Sequence, residues 1–196
     1  MNAWNTSLHD VYSNKRDKKA DADIMLRGLG DQRILGSTWT AFFSSVRCPG
    51  NLILSAYDLA QRWRLENRPV VSGFHSPVER EVLNIMLRSQ TPVCIVLARS
   101  IPTRVPKELR DAIDGGRLLV LSPFGATTKR ATQETASRRN EVVAAIADRI
   151  VVVYAASGSK TEAFCRQLAG SGKTCLTFDD PKTENLKAAG FDPFLD

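Results

Sequence analysis

Short apolar runs alternate along the chain with stretches in which apolar residues recur at helical spacing. The short runs are rich in β-branched and aromatic residues, as strands are, and several lack alternation, as strands covered on both faces do. The predicted strands cover residues 38–45, 70–71, 92–97, 118–121, 150–154 and 174–178. The predicted helices cover residues 52–66, 77–87, 106–113, 140–147, 161–168 and 184–189. This order predicts an α/β fold of three layers with a mainly parallel sheet of about six strands.

The first thirty residues lack this alternation. Residues 1–20 are polar and contain the run Lys15-Arg16-Asp17-Lys18-Lys19, which predicts a mobile arm or solvated helix, or else a tail that binds nucleic acid. Residues 21–30 predict a short helix that ends at a glycine. We therefore divide the chain into a polar arm or short helix over residues 1–30 and one domain over residues 31–196. Within that domain, the polar residues 126–137 predict a loop.

The composition narrows the class of protein. The chain has 196 residues, enough for one domain with a substantial core. Its 27 Lys and Arg residues exceed its 21 Asp and Glu residues, which mildly favours a polyanionic partner. With only two histidines, a histidine-rich metal site is excluded, and the four cysteines form no C-x-x-C pair, which favours free thiols. No apolar run approaches the roughly 20 residues that span a bilayer, and the polar N-terminus lacks a signal core; we expect a cytoplasmic protein without a cofactor or metal.

Four small polar turns follow predicted strands. Parallel sheets bind ligands outside the carboxyl ends of their strands, and glycine in such a turn lets backbone N–H groups approach a phosphate. The turns are Ser44-Ser45-Val46-Arg47, Ser72-Gly73-Phe74-His75, Ser122-Pro123-Phe124-Gly125 and Ser157-Gly158-Ser159-Lys160-Thr161. One Ser-Gly pair is explained by an ordinary tight turn, but four turns at one edge predict a shared phosphate-binding pocket.

Basic and aromatic side chains near these turns are the candidates for ligand contact. From Arg99 to Arg139, nine Lys and Arg residues face four Asp and Glu residues, an excess that fits a track for a nucleic-acid backbone. Phe74 is the candidate for stacking on a base, with core filling as the alternative. The predicted phosphate-binding residues are Ser45, Arg47, Ser72, Gly73, His75, Lys107, Arg138, Arg139, Asn140, Ser157, Gly158, Ser159, Lys160 and Thr161.

Catalytic motifs are missing from the sequence. It has no G-x-S-x-G elbow, Walker loop or H-E-x-x-H pattern, and residues 157–162 lack the upstream glycine of a P-loop. We therefore predict a binding protein with no catalytic residue. If the protein were an enzyme, its acid–base candidates would be His75, Glu79 and Glu162.

The motifs, in their order, resemble those of the DprA/Smf DNA-processing proteins. That family has a G-S-R turn after its first strand, S-G-x-A-x-G-I-D after the second, and a Tyr-Pro before a short helix. It also has R-N-R-I-I-A-x-L-S before a hydrophobic strand and S-G-S-x-x-T-A after it. The similar segments here are residues 45–47, 72–79, 105–109, 139–147 and 157–163. The resemblance covers residues 37–178 and is most specific in the R-N and S-G-S segments.

This resemblance implies an extended Rossmann-like fold, single-stranded DNA held in a basic pocket at the strand ends, and dimerisation. Several positions depart from the family pattern. Ser76 replaces a residue that helps to contact DNA, Pro77 the second glycine, and Glu141 the second arginine of R-N-R; His75 stands where a small residue is usual, and residues 179–181 replace a Pro-Gly after the sixth strand. Our leading hypothesis is a stand-alone domain that binds single-stranded DNA without catalysis. The departures leave two alternatives open: a nucleotide or nucleotide-sugar sensor or hydrolase of the related Rossmann-like superfamily, and an interaction module with a vestigial pocket.

Overall fold

The computed structural model describes residues 3–12 and 24–194, which form one nine-stranded sheet with helices on both faces. The strands are β1 (Ala3–Ser7), β2 (Met25–Leu29), β3 (Thr40–Phe43), β4 (Val70–Ser72), β5 (Val93–Val96), β6 (Leu118–Ser122), β7 (Arg149–Val152), β8 (Thr174–Thr177) and β9 (Asp192–Pro193). The helices are α1 (Leu8–Tyr12), α2 (Gly50–Leu65), α3 (Pro77–Met86), α4 (Lys107–Asp114), α5 (Gln133–Ile146), α6 (Lys160–Ala169) and α7 (Glu184–Ala188), with 3₁₀ turns at Gln32–Gly36 and Pro181–Thr183. None of the helices in these described ranges is long and apolar enough to cross a membrane.

The sheet order is β1-β2-β6-β5-β4-β3-β7-β8-β9. All neighbours from β6 to β9 in this order pair in parallel, which confirms the predicted mainly parallel sheet and its six central strands. The chain steps outward from β3 to β6 and then crosses back to place β7 on the other side of β3. The strand order therefore reverses between β3 and β7, which is where open parallel sheets place their ligands.

The predicted helix over residues 21–30 is wrong. Met25–Leu29 is a strand, and it pairs antiparallel with both β1 and β6. Within residues 1–30, Ala3–Ser7 and Met25–Leu29 therefore extend the sheet, and Leu8–Tyr12 forms the short helix α1. The basic run over residues 15–19 lies outside the described residues.

A close contact between Trp4 and Gly28 explains why the strand propensities of its residues do not predict β2. A Cβ on Gly28 would lie 2.3 Å from the Trp4 ring, so only glycine lets the indole lie across this strand. The indole N–H donates a hydrogen bond to the carbonyl oxygen of Gly30 at 2.8 Å. The strand is thus stabilised by this contact with β1 as well as by the buried side chains of Leu26 and Leu29.

Two apolar layers cover the sheet, as the continuous apolar strands predict. Successive residues of β3 point to opposite faces: Phe42 packs with α2, α3 and α4, whereas Phe43 packs with α5 and α6. The Phe42 ring meets Trp63 of α2 edge-on, with ring centroids 5.9 Å apart. The three-layer arrangement is therefore confirmed, and it leaves the strand ends free to carry a site.

Helix α5 begins earlier than its apolar spacing predicts. It starts at Gln133, so the predicted loop over residues 126–137 is wrong from residue 133 onward. Thr132 accepts a hydrogen bond from the backbone N–H of Thr135, and the Thr135 hydroxyl accepts one from the backbone N–H of Thr132, which closes a capping box. The first turns of α5 are polar because they lie at the surface, and α5 packs against β3, β4 and β5 only further along.

Candidate functional site

The carboxyl ends of β3, β4 and β7 bring three of the four predicted turns to one place. The backbone N–H of Ser45 donates to the carbonyl oxygen of Tyr154 at 2.9 Å. The Ser45 hydroxyl accepts a longer hydrogen bond from the backbone N–H of Ala156, at 3.4 Å. Ser45 thus ties the turn after β3 to the turn after β7, which makes the floor of this edge rigid.

Arg139 of α5 lies against the turn after β4. Its side chain is buried, with 7% exposure, and a Cβ on Gly73 would come within 1.9 Å of its Nη1 atom. Its Nε donates to Asn140 Oδ1 at 2.7 Å, but its Nη atoms donate no hydrogen bond within the described part of the chain. Burial lowers the pKa of Arg139, and the charge of Glu79 partly opposes that shift. A nearly buried guanidinium with unused donors therefore lies beside the point where the strand order reverses.

The buried carboxylate of Glu79 holds the same turn in place through hydrogen bonds to its backbone. It has 6% exposure and accepts hydrogen bonds from the backbone N–H groups of Ser44 at 3.0 Å, His75 at 2.7 Å and Ser76 at 3.1 Å. These three N–H groups therefore have an internal acceptor in this structure. His75 is the one among them that was predicted to contact a phosphate, and that role stays a prediction.

Glu162 plays the same part in the turn after β7. Gly158, at φ +71°, donates its N–H to Glu162 at 2.9 Å, and the amide of Asn185 donates to the other carboxylate oxygen at 2.5 Å. These two hydrogen bonds, that from Asn185 foremost, hold the pKa of Glu162 below its usual range. The Gly158 N–H thus has an internal acceptor in this structure, and its predicted role in phosphate binding stays a prediction.

A sequence signal for both carboxylates was available and was missed. Residues 76–79 and 159–162 each read Ser-x-x-Glu at the start of a helix, the pattern of a helix cap. In both, the serine hydroxyl accepts a hydrogen bond from the backbone N–H of the glutamate, at 3.2 Å. The pattern assigns both glutamates to backbone support, as the structure does.

Phe74 is not placed to stack on a base. Its ring is 6% exposed and belongs to the core beneath α2 and α3. Phe74 therefore fills the core, which was the alternative interpretation, and does not stack on a base. Its φ of +46° is left-handed, a strained state for a non-glycine residue. Ser72 is fully buried and accepts a hydrogen bond from the Phe74 N–H at 3.1 Å, so it supports the turn and is closed to a ligand. The side chain of His75 is exposed.

The remaining predicted residues divide between a cleft and the surface. A cleft of about 350 Å³ opens between α5 and α6, and its lining includes Asn140, Lys160 and Thr161. Arg138 forms an ion pair with Glu141 at 2.8 Å. The others lie outside the cleft at exposed or half-buried positions: Arg47, Lys107, Ser157 and Ser159.

A larger cavity, of about 680 Å³, lies at the opposite edge of the sheet. Its lining includes Trp63 and the first residues of β7 and β8, Arg149 and Thr174, so it opens at the amino ends of the strands. We take the carboxyl edge as the candidate site because the strand order reverses there and because the Nη atoms of the buried Arg139 donate no hydrogen bond to a described residue. Within residues 3–12 and 24–194, no group of three or more His, Cys, Asp and Glu side chains could hold a metal ion.

A protein-family model matches most of this chain. A model of the DNA recombination-mediator protein A family matches residues 4–187, so the match includes both antiparallel strands and almost the whole parallel sheet. No curated protein matches the chain.

Solved structures share the fold. DNA processing protein A (DprA) from Streptococcus pneumoniae has a TM-score of 0.73 at 19% identity, over 89% of this chain and 64% of its own; this chain thus spans less than two thirds of that protein. DNA processing protein A from Helicobacter pylori, whose structure concerns its single-stranded DNA binding mode, has a TM-score of 0.78 at 15% identity, over 100% of this chain and 92% of its own. A molybdenum cofactor binding protein from Rippkaea orientalis is more distant, with a TM-score of 0.57 at 13% identity, over 82% of this chain and 90% of its own.

Proposed function

The chain belongs to the DNA recombination-mediator protein A family, and we propose that it binds single-stranded DNA, without chemistry, at the carboxyl edge of β4, β3 and β7. The observation that carries this proposal is the Arg139 guanidinium, buried against Gly73 with no hydrogen bond from its Nη atoms to any described residue. Burying a charge with unsatisfied donors is costly. A phosphate that accepts two parallel hydrogen bonds from the guanidinium offsets the free-energy cost of burying the charge.

Neighbouring residues complete the proposed contact. Asn140 fixes the Arg139 side chain through its Nε, while Lys160 and Thr161 present a positive charge and a hydroxyl from the facing helix. The exposed ring of His75 takes over the stacking role that the buried Phe74 cannot fill.

A binding role without catalysis follows from how the two buried glutamates are used. Glu79 accepts three backbone hydrogen bonds, and Glu162 accepts hydrogen bonds from Gly158 and Asn185. The lowered pKa of Glu162 keeps it ionised at neutral pH, and both carboxylates are committed to supporting the backbone. Neither is arranged to transfer a proton to a ligand.

A free nucleotide is the second candidate ligand. The cleft between α5 and α6 has about 350 Å³, within the range of roughly 300–1,000 Å³ for small-molecule sites. We further propose a cytoplasmic location, where a DNA-processing protein meets its DNA, and a homodimer, as the resemblance to the DprA/Smf proteins implies. Light scattering on the purified protein tests the dimer.

Fluorescence anisotropy with a labelled single-stranded oligonucleotide tests the function. The wild type and Arg139→Gln are compared at two salt concentrations, with Arg33→Gln, an exposed arginine before β3, as the matched control. A hydrogen bond to a charged group contributes about 1.5–3 kcal/mol, so we expect Arg139→Gln to weaken binding roughly 10- to 160-fold. Binding should also weaken with salt.

Two results overturn this proposal. One is wild-type binding that is equal at both salt concentrations, and the other is unchanged binding by Arg139→Gln with its melting temperature preserved. A mononucleotide that raises the melting temperature, without any effect of an oligonucleotide, would favour the second candidate instead.

A further inference from the structure

Four basic side chains from three separate segments lie together at the carboxyl edge, on the β6 side of the sheet. We name this set the outer basic surface; it consists of Arg27, Arg99, Lys129 and Arg130, all exposed. Arg27 belongs to β2 and pairs directly opposite Ser122, the last residue of β6. Its Nη2 atom lies 3.9 Å from the position that a Cβ on Gly125 would take. The antiparallel strand therefore brings a positive charge to the loop that follows β6.

The loops after β5 and β6 are held together. The backbone N–H of Ser100 donates to the carbonyl oxygen of Thr128 at 2.8 Å, and the Ser122 hydroxyl donates to the carbonyl oxygen of Arg99 at 2.7 Å. These bonds place Arg99 and Lys129 in adjoining backbone segments. The backbone segments that carry Arg99 and Lys129 are thus held together by the fold.

Nothing within the described residues neutralises these charges. None of the four forms an ion pair with a described residue, and residues 97–106 and 123–132 contain no Asp or Glu. The β8 side of the same edge is different: the side chains of Asp179 and Glu184 are 72% and 67% exposed, and both pair with Lys187, at 2.8 and 2.6 Å. The carboxyl edge is therefore electrostatically one-sided.

We propose that the outer basic surface binds the phosphates of a second segment of the same DNA strand, which leaves Arg139 across β5 and β6 and not across β8. This inference rests on the proposed function. Neighbouring strands lie about 4.8 Å apart, so β6 is about 10 Å from β4, where Arg139 lies. A very short oligonucleotide that fills the Arg139 site does not reach the outer basic surface, whereas a longer one does.

The test compares two variants that lose the same number of arginines. The outer variant changes Arg27, Arg99 and Arg130 to Gln. The control variant changes Arg33, Arg64 and Arg88 to Gln, which lie near the amino ends of the strands. Each is titrated with a dinucleotide, which is shorter than the separation between β4 and β6, and with an oligonucleotide of about 16 nucleotides, the upper end of the range for single-stranded sites.

The expected result is a length-dependent loss of salt sensitivity. Each lost phosphate contact reduces the slope of log K against log salt by about 0.7 for single strands. For the long oligonucleotide, the outer variant should show a slope shallower by about 2. Between 50 and 200 mM salt, the affinity of the wild type should therefore fall by a factor roughly 20 times larger than that of the outer variant. The short oligonucleotide should bind the outer variant and the wild type alike, and the control variant should match the wild type at both lengths.

The outcomes separate this inference from the function on which it rests. An unchanged slope for the outer variant with the long oligonucleotide, or an equal loss in the control variant, overturns the inference and leaves the function standing. Wild-type protein that binds neither length overturns both. If the melting temperature shows that the outer variant folds poorly, Lys129→Gln repeats the test with an expected change of about 0.7 in slope.

Discussion

Gly73→Ala should separate binding from folding. The added Cβ would lie 1.9 Å from Arg139 Nη1 and 2.3 Å from Cζ, so the guanidinium must leave its place beside the turn. The φ of Gly73 is not in the left-handed region, so alanine fits the backbone. The displaced atoms are the end of a flexible side chain, which can turn outward into solvent.

Opposing effects keep the cost in stability small. Replacing glycine with alanine at a compatible position stabilises a protein by about 0.4–1 kcal/mol through the unfolded chain. Arg139 regains water when it leaves a position with 7% exposure, but it loses the attraction of Glu79. We expect the free energy of unfolding to change by no more than about 1 kcal/mol, within the range of ordinary substitutions.

Binding should fall much further than stability. The loss of a charge-assisted contact worth about 1.5–3 kcal/mol predicts affinity for single-stranded DNA that is roughly 10- to 160-fold weaker. Urea unfolding and anisotropy on the same preparation measure the two effects, and Gly36→Ala, where a Cβ meets nothing within 4 Å, is the control. Unchanged affinity would refute the role of the guanidinium, and a stability loss of several kcal/mol would refute its freedom to move.

Three further predictions concern the supporting structure. Because hydrogen bonds lower the pKa of Glu162, its carboxylate stabilises the fold at neutral pH, and this contribution is lost as the pH falls from about 4.3 through the lowered value. Urea midpoints between pH 7 and pH 3 should therefore fall less steeply for Glu162→Gln than for the wild type; parallel curves would contradict this. Thr132→Ala removes the acceptor of the Thr135 N–H and should lower the free energy of unfolding by about 1 kcal/mol, measured by urea unfolding against Thr127→Ala as a surface control. Of the four cysteines, only Cys48 is not fully buried, so a thiol reagent should modify one cysteine in native protein and four in urea, and none in native Cys48→Ser.

The parallel part of the fold could be predicted because its signal is local. Strands buried on both faces are apolar over all or almost all of their length, as Val93–Val96 and Leu118–Ser122 are, and helices lie between them in the sequence. Strand β2 gave no such signal, since its residues alternate between exposed and buried and include Gly28, which is suitable only because Trp4 packs on it. The start of α5 was missed because its exposed first turns carry no apolar spacing.

The grouping of the candidate residues was predictable, but their contacts were not. The Ser-Gly turns and the Arg-Asn pair indicated one edge of the sheet, and at that edge Arg139 lies against Gly73. Glu79 and Glu162 accept hydrogen bonds from backbone N–H groups that had been predicted to face a phosphate. These contacts depend on side-chain geometry, although both glutamates stand in the Ser-x-x-Glu pattern of a helix cap. Phe74 is buried at a left-handed backbone angle, a conformation that a phenylalanine in the sequence does not predict.

The buried carboxylates fix the shape of the carboxyl edge through internal hydrogen bonds. Ordering a loop on association costs conformational entropy and slows the encounter, but Glu79 and Glu162 already fix the turns after β4 and β7 through backbone hydrogen bonds. The arrival of DNA should therefore require no refolding of the edge. The association rate of DNA should be governed by diffusion and electrostatic steering and should fall with ionic strength. The strength of the individual contacts should affect only the residence time of the DNA on the protein.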